Sequence, residues 1–432
     1  MGSRKVHIAT FGCQMNVDDS QRMAAALAGQ GYTAVDGPGG ADLIIINTCS
    51  VRAKAEDKAC SFLGRLKKFK KARPELKIAL AGCLAQQDGK KLLHRFPHLD
   101  LVMGTGAVNR ILELVESGTR IADTELGLEL PRHIPAPEGT AEVRSQVTIM
   151  QGCDNFCAYC VVPYLRGRER SRSPEDVLAE VEAKVAAGTR EVNLLGQNVN
   201  SYRYRGWDFV RLLEAVSRVS GLLRLRFTTS HPKDMTPELI AALGGIENLC
   251  GYLHLPFQSG SDRILKRMKR GYTRDHYLSL VAALRKSRPG LALSSDCIVG
   301  FPGETEEDFG QTLDLLEKVR FEGLFSFRYS DRPGTAASRM GDKVPLETCA
   351  ARLNLLQARQ KEITAASHSA LVGREVEILV EGPAKRGRLL CGRTESNKVV
   401  NFSGGPDLTG SLVRVFIERA GTNSLRGRLI DG

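Results

Sequence analysis

The chain has 432 residues, 42% of them hydrophobic, and its 61 basic against 49 acidic side chains give a net charge of +12. That length exceeds one ordinary core, so two or three domains are expected, and no apolar run approaches the ~18 residues that span a bilayer. Eleven cysteines, in a chain whose start has neither a signal-peptide core nor a myristoylation signal, read as metal ligands or buried thiols of a cytoplasmic protein, and the basic excess points to an anionic partner, nucleic acid first, over a merely solvated surface.

From Lys5 to Gly118 short apolar runs alternate with helix-like stretches. Val6–Phe11, Leu43–Asn47, Lys77–Ala81 and Leu101–Met103 read as strands, and Asp18–Gln30, Lys54–Lys70 and Val108–Glu116 as helices. The alternation implies a parallel sheet with helices on its faces, and functional groups in such sheets sit just beyond the carboxyl ends of the strands. Cys13, Cys49 and Cys83 each follow one of the first three strands, so one sheet edge would gather them. Gly12 and Gly82 beside them would let the backbone approach a bulky inorganic core. Three converging thiols suggest an iron–sulfur cluster with one iron left open; any one alone would read as a buried structural cysteine. The basic run Arg65, Lys67, Lys68, Lys70, Lys71 and Arg73 suits a phosphate track and a solvated helix face equally well. Thr119 to Arg144, with Pro131, Pro135 and Pro137, reads as a linker.

The stretch Cys153-Asp154-Asn155-Phe156-Cys157-Ala158-Tyr159-Cys160 places three thiols at C-x3-C-x2-C spacing. Three thiolates hold three irons of a [4Fe–4S] cube and leave the fourth free to chelate a substrate. With an aromatic before the last cysteine, this spacing resembles the signature of radical S-adenosylmethionine (SAM) enzymes. Zinc is the alternative, but it usually takes four closed ligands and no fourth thiol or His lies nearby. Six strand–helix units are expected here, with strands near Ser145–Met150, Glu191–Leu195, Leu223–Thr228, Tyr252–Leu255, Leu293–Ile298 and Glu322–Tyr329, and Ser173-Pro174-Glu175-Asp176 is a good helix start. Six units are too few for a closed eight-fold barrel, so the reading is a partial (β/α)6 TIM-like barrel, open on one side, with its site at the carboxyl ends of the strands.

Polar loops follow those strand ends: Gln197 and Asn198, Ser230, His254 and Gln258, then Asp296, Ile298 and Gly300. Short amides and hydroxyls suit the amino acid and ribose of SAM, and glycines would admit its adenine; His231 and His254, each taken alone, read as structural histidines. Arg166, Arg168, Arg170 and Arg172 behind the cysteine loop, and Arg263, Lys266, Arg267, Lys269, Arg270 and Arg274, read as grips on a phosphate backbone at the barrel mouth. Glu347–Leu371 reads as a connecting helix. Beyond Gly373 come five short strands, Arg374–Val380, Leu389–Arg393, Val399–Phe402, Leu412–Glu418 and Leu425–Ile430, which imply a small β-barrel of the nucleic-acid-binding kind, with ten basic and seven acidic residues. Boundaries are expected at 4–119, 139–371 and 373–432.

Over essentially its whole length the chain resembles the methylthiotransferase family of radical SAM enzymes. The resemblance is carried by Gly12-Cys13-Gln14-Met15-Asn16, Asn47-Thr48-Cys49-Ser50-Val51-Arg52, Gly152-Cys153 to Pro163, Asn193 to Asn200, His254 to Ser261, Ile298 to Thr305, Arg332-Pro333-Gly334-Thr335 and Gly392-Arg393-Thr394-Glu395. It implies two [4Fe–4S] clusters, a SAM cluster on Cys153, Cys157 and Cys160 and an auxiliary one on Cys13, Cys49 and Cys83. It further implies SAM contacts from Phe156, Tyr159, Gln197, Asn198, Ser230, His254, Gln258, Asp296, Ile298 and Gly300. A C-terminal TRAM domain would bind RNA, with Arg393 joining Arg166, Arg168, Arg170, Arg267, Lys269 and Arg270. In the family one SAM methylates a sulfur held at the auxiliary cluster and a second is cleaved to a radical, which leads to methylthiolation. The partners implied are the anticodon stem-loop of a tRNA, an electron donor such as flavodoxin and a sulfur donor, with the enzyme a monomer. The stretch Asn47 to Lys58 resembles the branch that acts on N6-isopentenyladenosine at tRNA position 37 more than those acting on threonylcarbamoyladenosine or on a ribosomal-protein aspartate. A non-catalytic RNA-binding iron–sulfur protein is the alternative of another class.

Overall fold

Leu43–Thr48 sends its apolar side chains alternately into two layers: Leu43 and Ile45 pack in one, Ile44 and Ile46 in the other, all buried. That is the pattern of a strand covered on both faces. The computed structural model describes residues 4–50, 53–118, 120–127, 130, 142–385 and 389–430. Its N-terminal sheet has six parallel strands, β1 (Arg4–Phe11), β2 (Tyr32–Ala34), β3 (Leu43–Thr48), β4 (Lys77–Gly82), β5 (Leu101–Met103) and β6 (Ile121–Asp123), in the order β2-β1-β3-β4-β5-β6. Strand order reverses between β1 and β3, which opens a crevice at their carboxyl ends. The short strands β2 and β6 were not expected. The sixth lies inside the stretch read as a linker, so the sheet runs past the Thr119 boundary; Pro131, Pro135 and Pro137 lie outside the described residues. The first helix is Gln14–Ala28, four residues earlier than its periodicity implied. Asn16 brings it forward, because its side-chain carbonyl accepts the Cys13 N–H at 3.2 Å.

Two parallel triplets of strands make the central domain: Arg144–Thr148, Glu191–Leu195 and Arg224–Thr228, then Tyr252–His254, Ala292–Val299 and Gly323–Arg328. A single bridge, Leu225 to Leu249, links the triplets. The six strands form the expected partial barrel. Leu293, Cys297 and Val299 face the helices in the main core, so Asp296 and Ile298, with their cross-strand neighbours Phe325 and Phe327, face the lumen. The first expected strand breaks at Ile149: Met150–Gln151 pairs instead with Arg170–Ser171 and folds the cysteine loop over the mouth. Gly323–Arg328 is the open edge of this barrel, flanked by the long helix Leu346–Ser369.

The last five strands, Glu375–Pro383, Leu390–Thr394, Val399–Phe402, Leu412–Ala420 and Leu425–Leu429, close into a small barrel around Ile378, Val400, Phe402 and Ile417. It docks on the amino ends of the large barrel's strands. Arg224, the first residue of its strand, donates to the Arg393 carbonyl at 2.5 Å; Arg144 pairs with Glu381 at 3.1 Å; Gly251 N–H donates to Glu395 at 2.7 Å. The mouth at the carboxyl ends is thereby left free. Among the described residues no helix is long and apolar enough to cross a membrane.

Candidate active site

β1, β3 and β4 deliver Cys13, Cys49 and Cys83 to one place. Cys49 hydrogen-bonds both Cys13 and Cys83. Those hydrogen bonds, ahead of the nearby Arg166 charge, hold Cys13 and Cys83 below the ordinary thiol value despite burial, while they and burial push Cys49 up. The three thiols thus lie within reach of one another at one edge of the sheet. An amide clamp fixes the strand ends beneath it: Asn16 donates to Asn47 Oδ1 at 3.1 Å and Asn47 donates back to the Asn16 carbonyl at 2.8 Å. The clamp leaves no room for side chains beside it. A Cβ on Gly12 would strike the Asn16 amide; one on Gly82, at φ +91°, would strike the Asn47 amide and come within 2.5 Å of the Thr48 carbonyl.

Cys153, Cys157 and Cys160 lie in the loop at the mouth. Burial pushes the Cys153 thiol up, and raises Cys160 to about 12, so metal binding here must release protons. Arg270 lies beneath the loop, 4% exposed, and donates to Cys157 Sγ at 3.3 Å and to the Pro256 carbonyl at 3.1 Å. Among the described residues no group of three His, Cys, Asp or Glu side chains is arranged around a single metal ion. A polynuclear core differs in that each thiolate takes its own iron.

Around the same rim several buried polar atoms have no partner: Gln197 Nε2, Asn198 Oδ1, Ser230 Oγ, His231 Nε2 and Gln258 Oε1. Buried polar groups are ordinarily satisfied, so a convergent set of orphans suits a polar cofactor such as SAM. Their backbone is strained in the same place, with Phe156, Thr229, Gln258 and Lys269 at φ 45°, 79°, 64° and 58°. Gln197 also accepts the Gly152 N–H at 2.5 Å, tying the rim to the cysteine loop. His231, read from sequence as structural, accepts from Lys233 N–H through Nδ1, and burial, ahead of the Arg270 and Lys233 charges, pushes it well down, so a neutral ring offers Nε2–H to the rim. His254 hydrogen-bonds Ser294 at 2.9 Å and approaches Asp296 at 3.5 Å in the lumen. Phe156 stands exposed on the loop beside Tyr164. Tyr159 and Ile298 pack below the loop against Phe301 and Met268, and the Ile298 N–H donates to the Gln258 carbonyl at 3.0 Å. Gly300, at φ +71°, leaves room for Cys349 on the long helix, with which a Cβ would collide, so packing alone already requires the glycine.

The arginines divide differently from the sequence reading. Arg166 is 3% exposed and paired with Asp19 at 2.9 Å, and Arg270 is buried at Cys157, so neither can grip an external phosphate. Arg393 is half-buried between the two barrels and paired with Glu381 at 2.7 Å, which removes it from an RNA surface as well. Arg168 and Lys269 remain exposed at the mouth, Arg168 bridged to Asp154 at 2.9 Å. Arg170 donates to the Gly127 carbonyl at 2.6 Å, and Arg267 pairs with Asp342 at 2.7 Å, both partly open.

What sequence reasoning missed is the joint that docks the N-terminal domain on the large barrel. The helix Gln14–Ala28 turns Asp18, Asp19 and Arg22 into the large barrel. There Asp18 accepts from Thr148 Oγ1 at 2.7 Å and Arg22 at 2.8 Å, and Glu180 takes Arg22 at 3.3 Å and Arg172 at 2.6 Å, all buried. Cys83 itself packs on Val161 and Leu165, just beyond Cys160. The polar residues amid an otherwise plain helix were the available signal.

A parallel-sheet domain, a partial barrel with a three-thiol loop at its mouth and a small closing barrel define a radical SAM protein with an accessory domain on each side. The family models agree: residues 5–104 match uncharacterized protein family UPF0004, 147–316 the radical SAM superfamily and 369–430 the TRAM domain. Similar folds occur in the radical S-adenosylmethionine methyltransferase TsrM from Kitasatospora setae (TM-score 0.57, 15% identity, 78% of this chain and 75% of that one) and the cobalamin-dependent enzyme OxsB (TM-score 0.52, 13% identity, 84% and 56%). The chain is 51% identical to the tRNA-2-methylthio-N(6)-dimethylallyladenosine synthase of Geobacter metallireducens over 99% of both chains, and 50% identical to that of Syntrophobacter fumaroxidans over 99% of this chain and 96% of the relative. It belongs to the tRNA-2-methylthio-N(6)-dimethylallyladenosine synthase family of radical SAM proteins.

Proposed function

We propose that this protein converts N6-isopentenyladenosine at position 37 of tRNA to its 2-methylthio derivative, consuming one SAM as methyl donor and one as radical source. The observation that carries this reading is that Cys13, Cys49 and Cys83 meet at one place and that Cys83 packs on Val161 and Leu165, just beyond the second cysteine triad. Cys153, Cys157 and Cys160 would hold the SAM cluster, with Gln197, Asn198, Ser230 and Gln258 orienting SAM. Cys13, Cys49 and Cys83 would hold a second [4Fe–4S] cluster that presents the sulfur. The chemistry these groups supply when bound is a radical able to take hydrogen from adenine C2, which no side-chain base can do in water.

The chain's own part is placement and exclusion. The unpaired anticodon loop leaves the target base free to enter the lumen, where Phe325 stands 50% exposed beside His254 and Phe327 is nearby. An apolar N6 substituent against these rings would contribute ~2 kcal/mol of discrimination, whereas a threonylcarbamoyl carboxylate would be desolvated there at a cost. An electron donor such as flavodoxin and a separate sulfur donor complete the scheme. The test is anaerobic turnover on three anticodon stem-loops bearing adenosine, isopentenyladenosine or threonylcarbamoyladenosine, with iron counted in the same preparation. About eight irons per chain and fastest thiolation of the isopentenyl form are expected; preference for the threonylcarbamoyl form overturns the substrate, and about four irons overturns the second cluster.

A further inference from the structure

Arg166 belongs to the large barrel, six residues beyond Cys160, yet its guanidinium lies in the other domain's cysteine site. It lies close enough to Cys13 and Cys83 for its charge to act on both thiols. Asp19 holds one edge of the fork at 2.9 Å. The other terminal nitrogen, Nη1, is buried and has no partner. A buried guanidinium N–H left open is costly, and a buried cation with one free donor beside a cysteine triad is a place built for one more anion.

The direction of approach identifies that anion. The three thiols come from the carboxyl ends of β1, β3 and β4, and Arg166 comes from the opposite side, next to Val161 and Leu165, which pack on Cys83. A core held by the three thiols would therefore turn its remaining position toward the barrel, where Arg166 waits. We infer that Arg166 is a positioning residue for the sulfur to be transferred: its free N–H holds a hydrosulfide or thiolate anion at the auxiliary site, while its charge offsets the negative charge that loading adds. Because it follows the SAM-cluster loop directly, the loop that carries one cluster also carries the anion clamp of the other. No bond or electron moves in this step; Arg166 donates a charge-assisted hydrogen bond to sulfur.

This inference rests on the reading that Cys13, Cys49 and Cys83 hold a second cluster, and the experiment separates the two. Reconstituted holoenzyme and its Arg166→Gln and Arg166→Lys variants are assayed for iron, for cluster midpoint potentials by EPR-monitored titration, and for sodium hydrosulfide affinity from the perturbation of the EPR signal. Expected is near-wild-type iron in both variants. In Arg166→Gln the hydrosulfide-responsive cluster should shift to a more negative potential, and hydrosulfide affinity should fall at least tenfold. Arg166→Lys, which keeps the charge but loses the planar fork, should recover the potential and only part of the affinity. Two clusters with unchanged potential and hydrosulfide affinity in Arg166→Gln would overturn the role of Arg166. About four irons in the wild type would overturn the two-cluster reading instead. If Arg166→Gln loses iron, Arg166→Lys decides: wild-type hydrosulfide affinity there refutes the clamp, and a partial loss supports it.

Discussion

Replacing Glu180 with Gln tests whether the buried joint holds the two thiol sites in register. Glu180 takes Arg172 at 2.6 Å and Arg22 at 3.3 Å, and the three side chains are no more than 6% exposed. Burial alone would raise the Glu180 carboxyl, but Arg22, Arg172 and Lys184 outweigh it and hold it below the ordinary value. Its contribution is therefore complete at neutral pH and is lost only as pH falls through that depressed value. Glutamine keeps the shape but removes the charge, leaving two guanidinium groups with Asp18 as their remaining carboxylate nearby. Breaking a buried pair in this way costs ~3–5 kcal/mol, so the docked arrangement should lose roughly a hundredfold to several thousandfold in its equilibrium constant. Hydrogen exchange should show lost protection in Gln14–Ala28, with the large-barrel strands unchanged. Anaerobic turnover should still release 5′-deoxyadenosine but yield less methylthiolated product per SAM cleaved. Wild-type protection of that helix together with wild-type coupling would refute the argument that this carboxylate docks the domains.

Gly82→Ala places a Cβ at φ +91° against Asn47 and Thr48, so iron should fall from about eight toward about four per chain while SAM cleavage persists; full iron loading would show that the amide clamp can yield. Phe325→Ala should lower kcat/KM for the isopentenyl stem-loop roughly tenfold, the equivalent of ~1.4 kcal/mol of burial removed, and leave the unmodified stem-loop nearly unaffected. An equal loss on both substrates would take Phe325 out of the prenyl pocket.

Most of the fold could be read in advance because strand and helix periods differ sharply in this chain. Leu43–Thr48 and Ala292–Val299 announce themselves as covered strands, and each chemically marked loop follows one. The short strands β2 and β6 carry three residues each, too few for a period to show. The cysteines were readable because spacing fixes their chemistry. The arginines were not: Arg166, Arg270 and Arg393 look like any basic run until the fold shows which neighbours bury them. Asp19 and Cys157 do so from 147 and 113 positions away, and Glu381 from the neighbouring strand. The glycines needed the fold for a similar reason: Gly82 and Gly300 leave no room for a Cβ beside Asn47 and Cys349, neighbours that sequence spacing does not announce.

The docking of the small barrel changes how its part in RNA binding must be tested. Deleting Arg374–Gly432, the obvious truncation, would strip the small-barrel partners from buried Arg224 and Arg226, leaving Arg226 only Glu191, and the resulting destabilisation would be mistaken for loss of a footprint. The docked face lies at the amino ends of strands mostly five or six residues long, so ~17–20 Å separates it from the mouth. An RNA touching both must pass along the open edge, where a groove of about 690 Å³ lined by Phe325, Phe327, Gln357, Lys361, His368 and Asn423 runs toward the small barrel. The surface to alter is therefore Arg414, Arg426 and Arg428, which are exposed. Changing all three to Glu should weaken binding of whole tRNA and reduce the slope of log affinity against log salt by about one for each phosphate no longer neutralised. Binding of a minimal anticodon loop, too short to leave the mouth, should be unchanged, whereas Arg168→Glu and Lys269→Glu should weaken both ligands. If the triple variant binds whole tRNA with wild-type affinity and salt slope, the small barrel presents another face or none, and the RNA path along the open edge is wrong.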